Sequence, residues 1–267
     1  TMPSFATHLT ADDKRAVLEF VRSLSLGDLF RGPLPVGEGV ISGTVTNGTT
    51  GEPLAAATVT LGIFDATSLV DQRTAQTDAA GFYRFEGLPI EDGLTYLART
   101  EYPAGFPYSS EAVTFADGQT QADLPVSVYD TTSDPSGVRA DRMHLIVEFD
   151  SGQALVAELI VFSQDGDRAY IGDGAGVLRF TLPAGATDLQ ISDGELGGRY
   201  VQTQDGFVDT LPLSPGSGVR QILYRYSMPL QDGAVDLERR TDYPVTVVNA
   251  LISDVGEKVT STTLAEQ

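Results

Sequence analysis

The chain has 267 residues, enough for two ordinary domains, and its 41% apolar content gives each a core. Seventeen basic against thirty-seven acidic side chains leave a net charge of -20 spread along the chain. That balance sets it against nucleic acid and anionic membrane surfaces, which would repel it. With no cysteine there is no disulfide, thiolate nucleophile, Fe-S cluster, Cys-type zinc site or Cys-x-x-Cys-His haem attachment within these residues. The acidity suits solubility in a secreted or salt-exposed protein, or divalent cation binding.

Residues 1–27 differ from everything after them. Thr10 reads as an N-cap before Asp12 and Asp13, and Val17, Leu18, Val21 and Leu24 recur at helical spacing up to Gly27. A lone amphipathic helix of this length is marginal in water, so it needs a protein partner to pack on. Met2, Pro3 and Phe5, followed by the capped helix and by Val21-Arg22-Ser23-Leu24, resemble the end of a class I cytochrome c domain. The resemblance implies that Met2 is an axial haem ligand, with haem c supplied by an upstream or partner segment. The opening at Thr1 then reads as the interior of a longer polypeptide.

Residues 28–36, with Pro33 and Pro35, read as a linker. A first antiparallel β-sandwich is expected over 37–130. Gly43 to Asn47 alternates as a half-buried strand does, Asn47-Gly48 makes a turn, and 57–61 alternates again. Asp78 to Gly81 forms a tight reversal, its aspartate accepting backbone N–H groups, and leads into Phe82-Tyr83-Arg84-Phe85, which places rings on one face. Later strands are expected at 95–102, 111–115 and 123–129. The order Gly43-x-Val45, Gly51-x-Pro53-Leu54, Ala57-x-Val59-x-Leu61 and Thr77-Asp78-x-x-Gly81-x-Tyr83-x-Phe85 resembles the carboxypeptidase regulatory-like family. That resemblance implies a transthyretin-like sandwich that accompanies catalytic domains and carries no catalytic residue itself.

The polar stretch 131–137 reads as a second linker and 138–267 as a second sandwich. In it, Met143, Leu145, Val147 and Phe149 alternate with His144, Ile146 and Glu148, and 154–162 returns through Asp150-Ser151-Gly152. Further strands are expected at 177–182, 188–192, 200–203, 219–228, 234–239, 245–251 and 258–264. The fold class is therefore all-β, with two tandem antiparallel β-sandwich domains behind one amphipathic α-helix.

Chemistry is sparse. His8 and His144 have no second histidine at ligand spacing, and no Gly-x-Ser-x-Gly elbow occurs. Asp165, Asp167 and Asp173 lie on glycine turns, where hard oxygen ligands could hold calcium, though Asp and Gly also dominate plain turns. Tyr102, Phe106 and Tyr108 cluster around Pro103 and Pro107, either as a carbohydrate or peptide platform or as hairpin packing.

The expectation is a non-enzymatic, extracellular, cell-surface or periplasmic prokaryotic scaffold. It is read as the carboxy-terminal part of a c-type cytochrome fusion that docks or anchors an electron-transfer unit. The alternatives are a structural or adhesive protein that assembles as a homo-oligomer or filament through strand edges, and a carbohydrate or peptide binding module.

Overall fold

The computed structural model describes residues 34–66, 68–103, 105–150, 152–253, 260–261 and 264. Met2, His8, the expected helix and most of the expected strand at 258–264 lie outside the described residues.

The amino-terminal half is built from β1 (Gly39–Asn47), β2 (Thr58–Asp65), β3 (Ser68–Gln76), β4 (Phe82–Leu88), β5 (Leu94–Glu101), β6 (Pro107–Ser109), β7 (Gln121–Asp123) and β8 (Val126–Val128). One sheet runs β4-β1-β7 with β8 also on β1, and the other runs β3-β2-β5-β6. Every second residue of β1 and β2 faces inward. Ile41, Val45, Val59, Leu61 and Ile63 are fully buried between the sheets with Tyr83, Leu88 and Tyr96. Alternation also divides the aromatic run: Tyr83 and Phe85 enter the core while Phe82 points outward.

After β9 (Thr131–Thr132) and a 3-10 turn at Pro135–Gly137, the carboxy-terminal half is built around the long hairpin of β10 (Val138–Asp150) and β11 (Gln153–Gln164). There follow β12 (Ala169–Tyr170), β13 (Leu178–Thr181), β14 (Thr187–Ile191), β15 (Tyr200–Gln202), β16 (Gly206–Asp209), β17 (Gly216–Pro229) and β18 (Val245–Ile252). A five-stranded sheet in the order β14-β17-β11-β10-β18 faces a three-stranded sheet, β13-β16-β15. Their core is aromatic: Phe180 stacks on Phe207, and Tyr224, Tyr200 and Phe162 pack edge-on around them.

The expectation of purely antiparallel sheets is corrected. β1 pairs in parallel with β7 and β8, β10 with β18, and β9 with β12. In each case a long excursion intervenes, which returns the chain in the same direction. Two expected strands are absent. Val113 forms only an isolated bridge to Tyr96, and the stretch around 234–239 is irregular after a bridge between Gln231 and Ala234. β3, β6, β9, β12 and β16 appear where no strand was expected.

Two glycines of the first motif have geometric reasons. Gly81 sits at φ +73 in the reversal where Asp78 Oδ1 accepts N–H from Ala80 and Phe82 at 2.8 and 2.9 Å. At Gly43 the sheet closes so tightly that a Cβ would lie 2.3 Å from the Leu124 carbonyl oxygen and 2.7 Å from the Tyr83 hydroxyl, which donates to that same carbonyl. Gly43→Ala is therefore expected to cost about 1–3 kcal/mol in urea unfolding, whereas Thr44→Ala, on the exposed side of the same strand, stays within about 0.5 kcal/mol.

Candidate functional site

The residues singled out in the sequence do not converge. Asp165 pairs with Arg139. Asp167 faces Arg168 at 3.8 Å, and its carbonyl accepts from Thr49. Asp173 caps its own turn by accepting from the Ala175 N–H at 3.1 Å. Among the described residues no three His, Cys, Asp or Glu side chains form a group that could hold a metal ion. The tyrosine cluster is divided as well. Tyr108 is buried, its hydroxyl donating to the Tyr129 carbonyl, Phe106 packs against the first core, and Tyr102 turns to a carboxylate. The three side chains thus face different partners.

What the fold does assemble are three polar nodes. The first is Glu158, whose side chain is fully buried on the inner face of β11. Arg239 Nε lies 2.9 Å from both carboxylate oxygens, and Tyr224 and Tyr226 donate to Oε2 and Oε1 at 2.5 and 2.7 Å. Arg239 also donates to the Tyr224 hydroxyl and the Thr181 carbonyl. Burial raises both tyrosine hydroxyls well above their ordinary range and the Glu158 charge adds to it, so they stay protonated donors. Burial disfavours the Arg239 charge, but Tyr224 and Glu158 outweigh that and hold its pKa above the ordinary value.

The second node is Asp209, also fully buried, at the end of β16. Arg199 grips it through two hydrogen bonds of 2.8 and 2.7 Å, Arg220 adds one of 2.6 Å, and the Leu211 N–H donates at 3.0 Å. Burial pushes this carboxyl up, yet the Arg199 hydrogen bonds, the Leu211 amide and the Arg220 charge more than reverse it, leaving the pKa below the usual carboxylate value. Arg199 extends further to Asp193, which accepts from Tyr200.

The third node joins the two halves. Asp130 Oδ1 accepts from Asn47 Nδ2 at 2.9 Å and from the Tyr102 hydroxyl at 2.8 Å, and its amide donates to Thr49 Oγ1. The Thr49 hydroxyl in turn donates to the Asp167 carbonyl at 2.7 Å, and the Ala169 N–H to the Asp130 carbonyl at 2.8 Å. Beside them β9 pairs with β12, and Ala169, fully buried, packs in the core of the amino-terminal sandwich. The hydrogen bonds from Asn47 and Tyr102 hold the Asp130 carboxyl below its ordinary pKa. The stretch expected as a polar linker is thus a paired strand and a capped turn, with Asp134 accepting from the Ser136 N–H.

Sequence reasoning missed Glu158 and Asp209. Glu158 carried a signal: it occupies the inward phase of the series Ala154, Val156, Glu158, Ile160 and Phe162, where an unpaired acid cannot stay. Asp209 ends a strand buried on all four residues, so no alternation marks it.

Residues 40–128 match the family model of the carboxypeptidase regulatory-like domain, so the amino-terminal sandwich carries that domain's pattern. No curated protein matches the chain. Among solved structures, the chain is similar to a 9R-lipoxygenase from Cyanothece PCC8801 (13% identity, 45% of this chain and 20% of that one, TM-score 0.26). It is similar also to a candidate carbohydrate binding protein from Bacteroides uniformis ATCC 8492 (15% identity, 74% and 80%, TM-score 0.25). A third is the full-length major pilin SpaD from Corynebacterium diphtheriae (13% identity, 72% and 56%, TM-score 0.26). The chain spans about a fifth of the lipoxygenase and just over half of the pilin. At these TM-scores the likenesses do not bear on what the chain does.

The sign of the Asp209 shift fixes a pH dependence. A carboxyl with a lowered folded pKa stabilises the fold above its unfolded value near 3.9, and that contribution is lost as pH falls through the lower folded value. Asp209→Asn leaves Arg199 and Arg220 without their shared anion. It is expected to lose about 3–5 kcal/mol at pH 7 in chemical unfolding and to show a flatter loss of stability than the parent below pH ~4.

Proposed function

We propose that the chain is a non-catalytic structural module of a surface or extracellular protein, in which two β-sandwiches act as one stiff unit that spaces or presents whatever is joined to it. The observation that carries this reading is the junction at Asp130. A free tether between domains leaves its backbone to water, whereas here Thr49, Asp130, Asp167 and Ala169 exchange hydrogen bonds across the boundary and Ala169 contributes to the neighbouring core. The buried carboxylates support the same reading. Glu158 and Asp209 are taken up by arginine, tyrosine and backbone donors of the chain itself, an arrangement that specifies packing. The electron-transfer role expected from Met2 rests on residues outside the described ones and has no counterpart in the family match at 40–128.

Small-angle scattering tests stiffness directly. The parent chain is expected to fit a single rigid shape, and Asp130→Ala combined with Thr49→Ala is expected to raise the maximum dimension and the signature of interdomain motion while both halves stay folded by circular dichroism. A parent chain that already scatters as two loosely tethered bodies sinks the reading.

A further inference from the structure

Asn47 is one of two asparagines in the chain and the one that glycine follows. An asparagine before glycine is open to attack by its own backbone, because no Cβ shields the next amide nitrogen from the side-chain carbonyl carbon. The fold places this pair at the end of β1, inside the junction between the two halves. Every polar atom of Asn47 is engaged there. Its backbone amide donates to the Glu52 carbonyl at 2.8 Å, and its carbonyl accepts from the Gly51 N–H at 2.7 Å. Oδ1 accepts from the Thr49 N–H at 2.9 Å, while Nδ2 donates to Asp130 Oδ1 at 2.9 Å and to the Tyr102 hydroxyl at 3.2 Å. The carboxylate fixes that orientation, since it can only accept. The nucleophile is held as well: the Gly48 N–H donates to the Val128 carbonyl at 2.7 Å, and Asn47 is only 6% exposed. Both members of the pair are dictated by what surrounds them. A Cβ on Gly48 would lie 2.3 Å from the Tyr129 ring, and an aspartate at 47 would set a second carboxylate against Asp130.

We propose that Asn47-Gly48 is a deamidation site which the closed junction protects, and that its modification keeps the junction open once it has opened. In the open turn the Gly48 nitrogen loses its proton and bonds to Asn47 Cγ, the Cγ–Nδ2 bond breaks, and Nδ2 leaves with that proton as ammonia. Water then opens the cyclic imide at the side-chain carbonyl to leave aspartate, or at the main-chain carbonyl to leave isoaspartate. One water is consumed, one ammonia is released and the chain gains a carboxylate, with no oxidant or cofactor. Either product replaces a donor to Asp130 by a like charge, and isoaspartate also adds a methylene to the main chain where β1 ends. Resting on the same junction that stiffens the unit, the site makes the age of the molecule a determinant of its shape.

The test ages the full chain in neutral buffer and follows residue 47 by peptide mapping, where deamidation adds about 1 Da and isoaspartate separates by chromatography. Each rate is divided by that of the same chain in guanidinium chloride, where nothing protects the pair. Asn47 in the folded parent is expected to deamidate at least about tenfold more slowly than in denaturant, and Asp130→Ala with Thr49→Ala is expected to remove most of that protection. Asn249, exposed and followed by alanine, is expected to change equally slowly in both folded chains. Asn47→Asp, the product made directly, is expected to scatter with the raised maximum dimension of a loosened junction while circular dichroism shows both halves folded. Asn47→Ala, which removes the donor without adding charge, is expected to loosen it less. Aged parent carries the same scattering readout should Asn47→Asp not fold. A parent whose Asn47 ages as fast folded as unfolded overturns the proposal, as does undiminished protection in the junction variant, or a converted chain as compact as the parent. The two readings fail separately. A parent that scatters as two tethered bodies yet protects Asn47 sinks stiffness alone, and a stiff parent that leaves Asn47 unprotected sinks this proposal alone.

Discussion

A carboxylate placed inside an aromatic core is tolerable only when each of its oxygens is answered, and the carboxy-terminal sandwich is arranged around answering Glu158. Desolvating the acid alone costs several kcal/mol. Tyr224 and Tyr226, two residues apart on β17, therefore present their hydroxyls to it, and Arg239 supplies the opposing charge. Arg239 does not belong to a strand. It sits in the irregular stretch between β17 and β18, which must carry the chain past β11 to the far side of β10. The same stretch is pinned a few residues on, where Asp242 accepts from the backbone and hydroxyl of Thr181 and where Tyr243 bridges the Arg179 amide and the Val177 carbonyl. The buried ion pair thus fixes where the crossover lands. The crossover also sets the direction of β18, since β17 and β10 are both antiparallel to β11 and the chain re-enters the sheet beyond β10 in the direction of β17.

The junction between the halves uses the same physics at lower burial. Its hydrogen bonds run through a carboxylate, an amide side chain, two hydroxyls and four backbone groups, so no single charge has to be removed wholly from water. Its members come from four separate turns and strands of the two halves. Ala169 adds the apolar part, a small side chain from one half filling the core of the other.

Much of the amino-terminal sandwich was legible in the sequence. Small residues at Gly43 and Gly81, the Asp78 cap and the alternation of Val59 and Leu61 each have one structural explanation, and they recur in order. Direction was not legible. An alternating strand reads the same whether its neighbour runs parallel or antiparallel, so β8 and β18 could be found and still be misoriented. β3 was invisible because an exposed edge strand has little apolar alternation to show, and β16 because a strand buried on both faces has none. The stretch at 234–239 misled in the opposite sense. Ala234, Val235 and Leu237 alternate with acids as a strand does, but Val235 and Leu237 only cover the core while the chain delivers Arg239. The polar nodes could be read only in part, since an acid in the inward phase of a strand is visible and its partner, some eighty residues away, is not.

Net charge and edge chemistry act over different distances, and this chain sets them against each other. At -20 the molecule repels its copies over roughly a Debye length, about 8–10 Å at physiological salt, which protects against indiscriminate contact. Local charges on β3, β4 and β14 then guard those edges at contact range. β18 lacks that second guard. Its strand-forming residues are held straight and in register by β10. Long-range repulsion cannot correct an unguarded edge. It acts over a longer range than side-chain contacts do, and so leaves the packing of this uncharged eight-residue strand to its own residues and to β10.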